Sequence, residues 1–257
     1  KLLRKESLVP RTAKVFFTLA PPLSLSMSIA TLPLLCYGIP NILAFYGDVI
    51  LLLYLIAGSS LILCIGATAS GNPYVTIGFS RRFSLVVASE LVIALAIAAT
   101  VVKTGALSLT NIVLRASLTP SLIIAGIVLL VVAYIESLRF PFELAEAKPE
   151  LMGGLLVEYS GRLLAFTELA HLTHRFAVTL LSLDILLAPA LRSLLEINAI
   201  GSIVSFTTLI VVTILVLIAF GAMEALFGRT RIDLALKFVA RLITLSILSL
   251  ILASLGV

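Results

Sequence analysis

The chain has 257 residues, of which 61% are hydrophobic and 12% charged, about half the charged share of a soluble domain. That balance excludes a soluble globular enzyme and predicts an all-α, multi-pass membrane protein. The net charge of +5 sits in short segments between apolar runs, where it sets orientation in a bilayer and leaves no basic patch for nucleic acid.

Residues 1–14, KLLRKESLVPRTAK, are basic and amphipathic, with no small-residue cleavage site. Position 1 is Lys rather than Met, so the true amino terminus is expected upstream. A membrane helix needs about 20 apolar residues, because roughly 1.5 Å per residue must cover roughly 30 Å of hydrocarbon. Seven runs meet this: Val15 to Gly38, Val49 to Ala69, Phe83 to Val102, Pro120 to Ile135, Leu163 to Leu187, Ile203 to Ala225 and Leu234 to Leu255. The fourth is short and borrows a turn at either end. Pro21 and Pro22 lie inside the first run and are expected to kink or loosen it. Cys36 and Cys64 lack the paired spacing of a metal or iron–sulfur site and read as core residues; a disulfide between them stays open.

Fourteen Lys and Arg fall in alternate connections beginning with the amino-terminal segment, among them Arg81, Arg82, Arg139, Lys148, Arg162, Arg229, Arg231, Lys237 and Arg241. Lys103, Arg115 and Arg192 fall in the others. The positive-inside rule therefore predicts a cytoplasmic amino-terminal segment and an outer carboxyl terminus. No internal repeat and no pair of broken helices of the transporter kind is evident, so residues 1–257 read as one membrane domain.

The polar exception is the connection between the fourth and fifth runs, residues 136–162, ESLRFPFELAEAKPELMGGLLVEYSGR. With Glu168 just beyond it, this loop accounts for six of the thirteen carboxylates: Glu136, Glu143, Glu146, Glu150, Glu158 and Glu168. Pro141 and Pro149 interrupt helix, and Gly153 and Gly154 loosen the chain. It reads either as an ordinary solvated loop or, because Phe140, Phe142, Leu144, Leu151, Met152, Leu155 and Tyr159 are interleaved with the charges, as a docking surface.

An ionisable group inside the bilayer costs roughly 2.5 to 3.5 kcal/mol on insertion scales, which makes each one a functional candidate. Glu90 lies in the third run and Glu136 ends the fourth. Either these pair with Arg81, Arg82 or Arg139 for packing, or they load and release protons as nearby charge changes. Glu168, His171 and Arg175 are spaced i, i+3, i+7, within about 60° on one helix; His174 stands roughly 100° off that stripe. Such a stripe is a buried Glu–Arg pair or part of a relay. Glu224, Arg229, Arg231 and Asp233 gather at the last cytoplasmic junction, where helix-end charges reach the interface.

The loop from Glu136 to Arg162 resembles the signature loop of the H-type membrane subunit of respiratory complex I and its relatives in energy-converting membrane-bound hydrogenases, formate hydrogenlyases and sulfane-sulfur reductases. The resemblance continues through KLLRKESLVPRTAKVFFTLAP, ASGNPYVTIGFSRRFSLVVASE and FGRTRIDLALKF. It implies eight membrane helices, the first preceding this chain. It also implies that Arg139, Pro141, Phe142, Glu143, Glu146, Glu150, Glu158, Tyr159, Ser160 and Gly161 face the redox arm, while Glu90 and Glu136 join a line of buried carboxylates leading to ion-pumping subunits. Complex I members commonly carry PFDLPEAE and TEYSG, with Glu where this chain has His171. The forms PFELAEA and LVEYSGRLLA are closer to the hydrogenase-like branch. The resemblance implies a non-catalytic coupling subunit with no redox centre of its own, iron–sulfur clusters and a nickel–iron centre in partner subunits, and antiporter-like membrane neighbours. A quinone-site subunit of complex I and a standalone ion or solute transporter are the alternatives.

Overall fold

The computed structural model describes residues 2, 5, 14–35, 45–144, 153–195, 199–228 and 230–256. Apolar composition and end signals account for its helices. Helix α1, Lys14–Leu35, contains Pro21, Pro22 and Pro33 yet runs continuously. Helix α2, Asp48–Thr68, is almost wholly apolar. Helix α3, Pro73–Thr104, starts at a Pro that needs no hydrogen-bond acceptor, beneath Asn72, whose side chain accepts from the Tyr74 N–H at 2.9 Å; it ends at Gly105, φ 62°. Ten residues earlier than the expected apolar run, this start adds nearly three turns bearing Arg81 and Arg82.

A short helix, α4, Leu109–Arg115, follows. The Asp48 carboxyl group, at the start of α2, accepts its Leu109 N–H at 2.8 Å and so satisfies one of the free N–H groups in the first turn of α4. Helix α5, Pro120–Glu136, is a 17-residue apolar helix. A 3-10 turn at Gly154–Leu156 precedes α6, Gly161–Leu195, which at 35 residues is roughly 52 Å long and overshoots the hydrocarbon. Helices α7, Ala199–Leu226, and α8, Ile232–Ser254, complete the chain. Among the described residues, α1, α2, α3, α6, α7 and α8 are long and apolar enough to cross a membrane, with α5 the shorter apolar helix beside them.

Helix α1 packs on α2 and α6, α3 on α5 and α8, and α6 joins the two groups through α5 while also carrying α7. Close contact depends on glycine at two places. A Cβ on Gly66 would stand 2.0 Å from the Cβ of Ala20, so α2 and α1 meet backbone to backbone. A Cβ on Gly126 would stand 3.0 Å from the Leu186 Cα, so α5 also approaches α6 closely there. The main core lies among α2, α3, α5 and α6, with Ile56, Ile93, Leu129 and Leu181 fully enclosed. A small set of buried polar side chains around Glu136 is inlaid in this core.

Candidate functional site

Glu136 is the last residue of α5 and is only 4% exposed. Ser89 of α3 donates to its Oε1. Its Oε2 lies 3.5 Å from Nε2 of His174 on α6. His174 is buried as well, and two serines of α2 hold its ring: Ser59 Oγ lies 2.9 Å from Nδ1 and Ser60 Oγ 3.4 Å from Nε2. Ser59 also donates to the Ile56 carbonyl at 2.8 Å. A hydroxyl has one hydrogen, so with that hydrogen on Ile56 its oxygen accepts from Nδ1–H, and we assign the Nδ1–H tautomer to the neutral ring. Nε2 is then bare and turned toward a carboxyl group. One proton serves both: it sits on Glu136 beside neutral His174, or on His174 beside ionised Glu136.

The surroundings supply charge that either state can feel. Arg82 of α3, 2% exposed, is within electrostatic reach of Glu136 and of His171, and His171 is within reach of His174 and Arg175 on its own helix. Glu90, one residue past Ser89, is coupled electrostatically to Glu136, and its Oε1 is shut off from solvent without a hydrogen-bond partner. Three helices, α3, α5 and α6, thus bring two carboxylates, two imidazoles and two guanidiniums into one cluster, and α2 adds the serines that hold the His174 ring. Of the stripe Glu168, His171 and Arg175, the last two turn partly inward, while Glu168 is exposed and stands apart from the cluster. His174, off that stripe by sequence spacing, is the residue that meets Glu136.

The loop after Glu136 is fastened at both limbs. In the first limb, Tyr134 donates to the Phe140 carbonyl, Arg139 pairs with Glu224 of α7, and the Pro141 carbonyl accepts from the Thr230 hydroxyl at 2.9 Å and its N–H at 3.2 Å. A cis peptide joins Phe140 to Pro141. Phe142 is buried against Tyr134 and Phe238. In the second limb, Asn72 donates to Glu158 at 2.6 Å, and Tyr159 stacks on Phe17 at 4.5 Å. Burial pushes the Tyr159 phenol up from its ordinary range. Glu143, Pro141 and Ser160 are half-buried, and Gly161 opens α6 at φ 53°. Glu146, Glu150 and Arg229 lie outside the described residues. Arg81 is half-buried near the start of α3, and Arg231 pairs at 3.9 Å with Asp233 where both are open to solvent, a contact worth little.

Two buried acids escaped the sequence reading. Asp48 caps α4, and Asp184, fully buried on α6, lies ten residues or roughly 15 Å beyond His174. Asp184, an acid inside the fifth apolar run, carried the signal that picked out Glu90, whereas Asp48 stands one residue ahead of the second run. Among the described residues no three His, Cys, Asp or Glu gather as a metal ion would require.

Comparison with known proteins places this arrangement among relatives. Residues 1–254 match the family model described as NADH dehydrogenase. The chain is 33% identical over 246 residues to the H-type subunit of NADH-quinone oxidoreductase from Geobacillus sp. (strain WCH70), covering 91% of this chain and 70% of that one. It is 37% identical over 169 residues to formate hydrogenlyase subunit 4 of Escherichia coli (strain K12), covering 63% and 54%. In three dimensions it matches a chain of the membrane-bound sulfane sulfur reductase, an archaeal respiratory membrane complex, with a TM-score of 0.83, 27% identity, and coverage of 98% of this chain and 83% of the other.

Proposed function

We propose, because this chain belongs to the NADH dehydrogenase family, that it is the membrane anchor and coupling subunit of an ion-translocating oxidoreductase complex of the hydrogenase-like branch. Electron transfer takes place in cytoplasmic iron–sulfur and nickel–iron partner subunits, fed by ferredoxin and seated on the loop from Glu136 to Arg162. Antiporter-like membrane subunits move the ion. This chain joins the two.

The observation that carries the reading is the buried Glu136–His174 pair, whose carboxylate is the residue from which the loop departs. A shift of the loop, or a new charge beneath the docked arm, alters which partner holds the proton. Glu90, His171, Arg82 and Arg175 register that change. A carboxylate facing a bare imidazole nitrogen is a proton-transfer pair, and separations in a resting state tighten or take in one water when it works.

In a purified, complete complex, Glu136→Gln and His174→Ala should leave electron transfer to the terminal acceptor intact. Gradient formation in reconstituted vesicles should fall by about 10²-fold, the scale of one lost acid–base group. An intact complex that pumps normally with either substitution sinks the reading.

A second reading, quinone reduction at this subunit, draws on one feature. A cavity of about 400 Å³, lined by Tyr134, Pro141, Phe142, Phe227 and Phe238 with almost no polar atoms, opens beside the first limb of the loop. Quinone extracted from the purified complex, and displaced by Phe142→Trp, would favour it.

A further inference from the structure

Helix α8 carries two cations on the side that faces away from the rest of the chain. Its buried residues, Ala235, Val239, Leu242, Ser246, Ser249 and Ala253, rest on α3 and α5. Lys237 and Arg241 stand two residues before and after Val239, so each is rotated about 200° from it, and both are exposed. Around them the exposed surface is apolar: Leu234, Phe238, Leu245 and Leu248. By sequence Lys237 and Arg241 count with the last cytoplasmic connection, but α8 begins at Ile232. Arg241 is therefore nine residues into the helix, roughly 14 Å along its axis and close to half the hydrocarbon thickness. Lys237 and Arg241 make no ion pair among the described residues. Their rotation turns both from the carboxylates of the buried cluster. Asp233, exposed one turn before Lys237 on the same side, lies within range of Lys237, so Arg241 is the cation for which the described residues hold no anion at its depth.

Beside Arg241 the same exposed side carries Ala240 and Thr244, small residues four apart that let a second helix approach closely. The Thr244 hydroxyl donates to the Arg241 carbonyl at 2.7 Å, which leaves its oxygen to accept across the contact. Lys237, Arg241 and Thr244 at i, i+4 and i+7 make one seam, the form a helix–helix contact takes.

We propose that this seam docks a transmembrane helix of another subunit of the complex, and that the helix presents an aspartate or glutamate level with Arg241. The occupant follows from charge complementarity: Arg241, sunk in an apolar face, needs an anion at its depth, and a membrane-embedded carboxylate has the reciprocal need. An anionic lipid headgroup satisfies a cation near the surface. It leaves Ala240 and Thr244 unpacked, and it requires the Arg241 side chain to extend back along the helix to the interface. The inference rests on the reading of the chain as one subunit of a larger complex, but its test reads assembly, whereas the Glu136 and His174 variants read pumping in assembled material.

The test uses the complete complex, purified through a tag on this chain. Arg241→Glu combined with Lys237→Glu should release one membrane subunit while the others stay at their normal ratio. Reversing an acidic residue to Lys in a membrane helix of the released subunit should bring it back. Retention of every subunit overturns the proposal, whether bound anionic phospholipid falls, which assigns the seam to lipid, or stays constant. Should the reversed chain fail to accumulate, a photoreactive phenylalanine at Thr244 in otherwise unaltered complex decides. A cross-link to an acid-bearing membrane helix of another subunit supports the proposal, and cross-links to lipid alone overturn it.

Discussion

At the scale of single residues, function and stability turn on where one hydrogen sits. Ser59 donates to Ile56 and so obliges His174 to donate from Nδ1. Ser59→Ala removes that obligation without touching Glu136. The ring is then free to present Nε2–H to the carboxylate, and pumping should slow while the complex stays assembled; gradient formation per electron transferred is the measurement. Tyr159 makes a separate pH prediction. Its phenol ionises at about 10 in an unfolded chain and higher in the folded one, where burial opposes the charge. Above about pH 10 the unfolded state therefore holds fewer protons than the native state. The contribution of Tyr159 to stability is complete below that pH and is lost as pH rises toward the folded value. Proteolytic release of the second loop limb should accelerate above about pH 10, and Tyr159→Phe, which keeps the stack on Phe17, should remove that acceleration.

At the scale of elements, the apolar runs were legible because membrane helices announce themselves by composition, and among the described residues an apolar helix stands where each of the seven runs was read. What the sequence hid has physical causes. The start of α3 at Pro73 is set by a cap and a proline, ahead of the apolar run. Helix α4 has seven residues, too few for a periodic signal, and the group that caps it is 61 positions earlier. Spacing on α6 showed that Glu168, His171 and Arg175 share a side, but which side faces the core is decided by α2, α3 and α5. Hence Glu168 lies outside and His174 meets Glu136. Pro21 and Pro22 do not break α1, which runs on against α2, where Ser24 reaches the Ser59 carbonyl at 2.7 Å. That packing can be tested. Gly66→Ala sets a methyl 2.0 Å from the Cβ of Ala20 and should cost about 1–3 kcal/mol as overpacking. Ala20→Gly in the same chain should recover most of the loss, both read as thermal midpoints in detergent. A double variant no better than Gly66→Ala would mean that the helices meet elsewhere.

At the scale of the whole molecule, the loop is a strap across the two helix groups, and the buried pair joins its two ends. Glu136 ends the helix that enters the strap, and His174 lies on the helix that leaves it. The first limb is tied to α7 and to the start of α8, the second to α1 and to the start of α3. Under the proposed function, a pull on either limb of the strap would move the carboxylate and the imidazole relative to one another. The Arg139–Glu224 tie is well placed to test this because both side chains are about one-third exposed. A pair so open to water contributes about 0–1 kcal/mol to stability. Glu224→Gln should thus leave the thermal midpoint nearly unchanged. If the strap transmits the redox event, the same substitution should lower the number of ions moved per electron pair, because one anchor against which the strap pulls is gone. Exchanging the charges, Arg139→Glu with Glu224→Arg, should restore that ratio while each single change lowers it. Equal ratios in all three variants, measured in vesicles with the complete complex, would show that the strap holds the redox arm without carrying its signal.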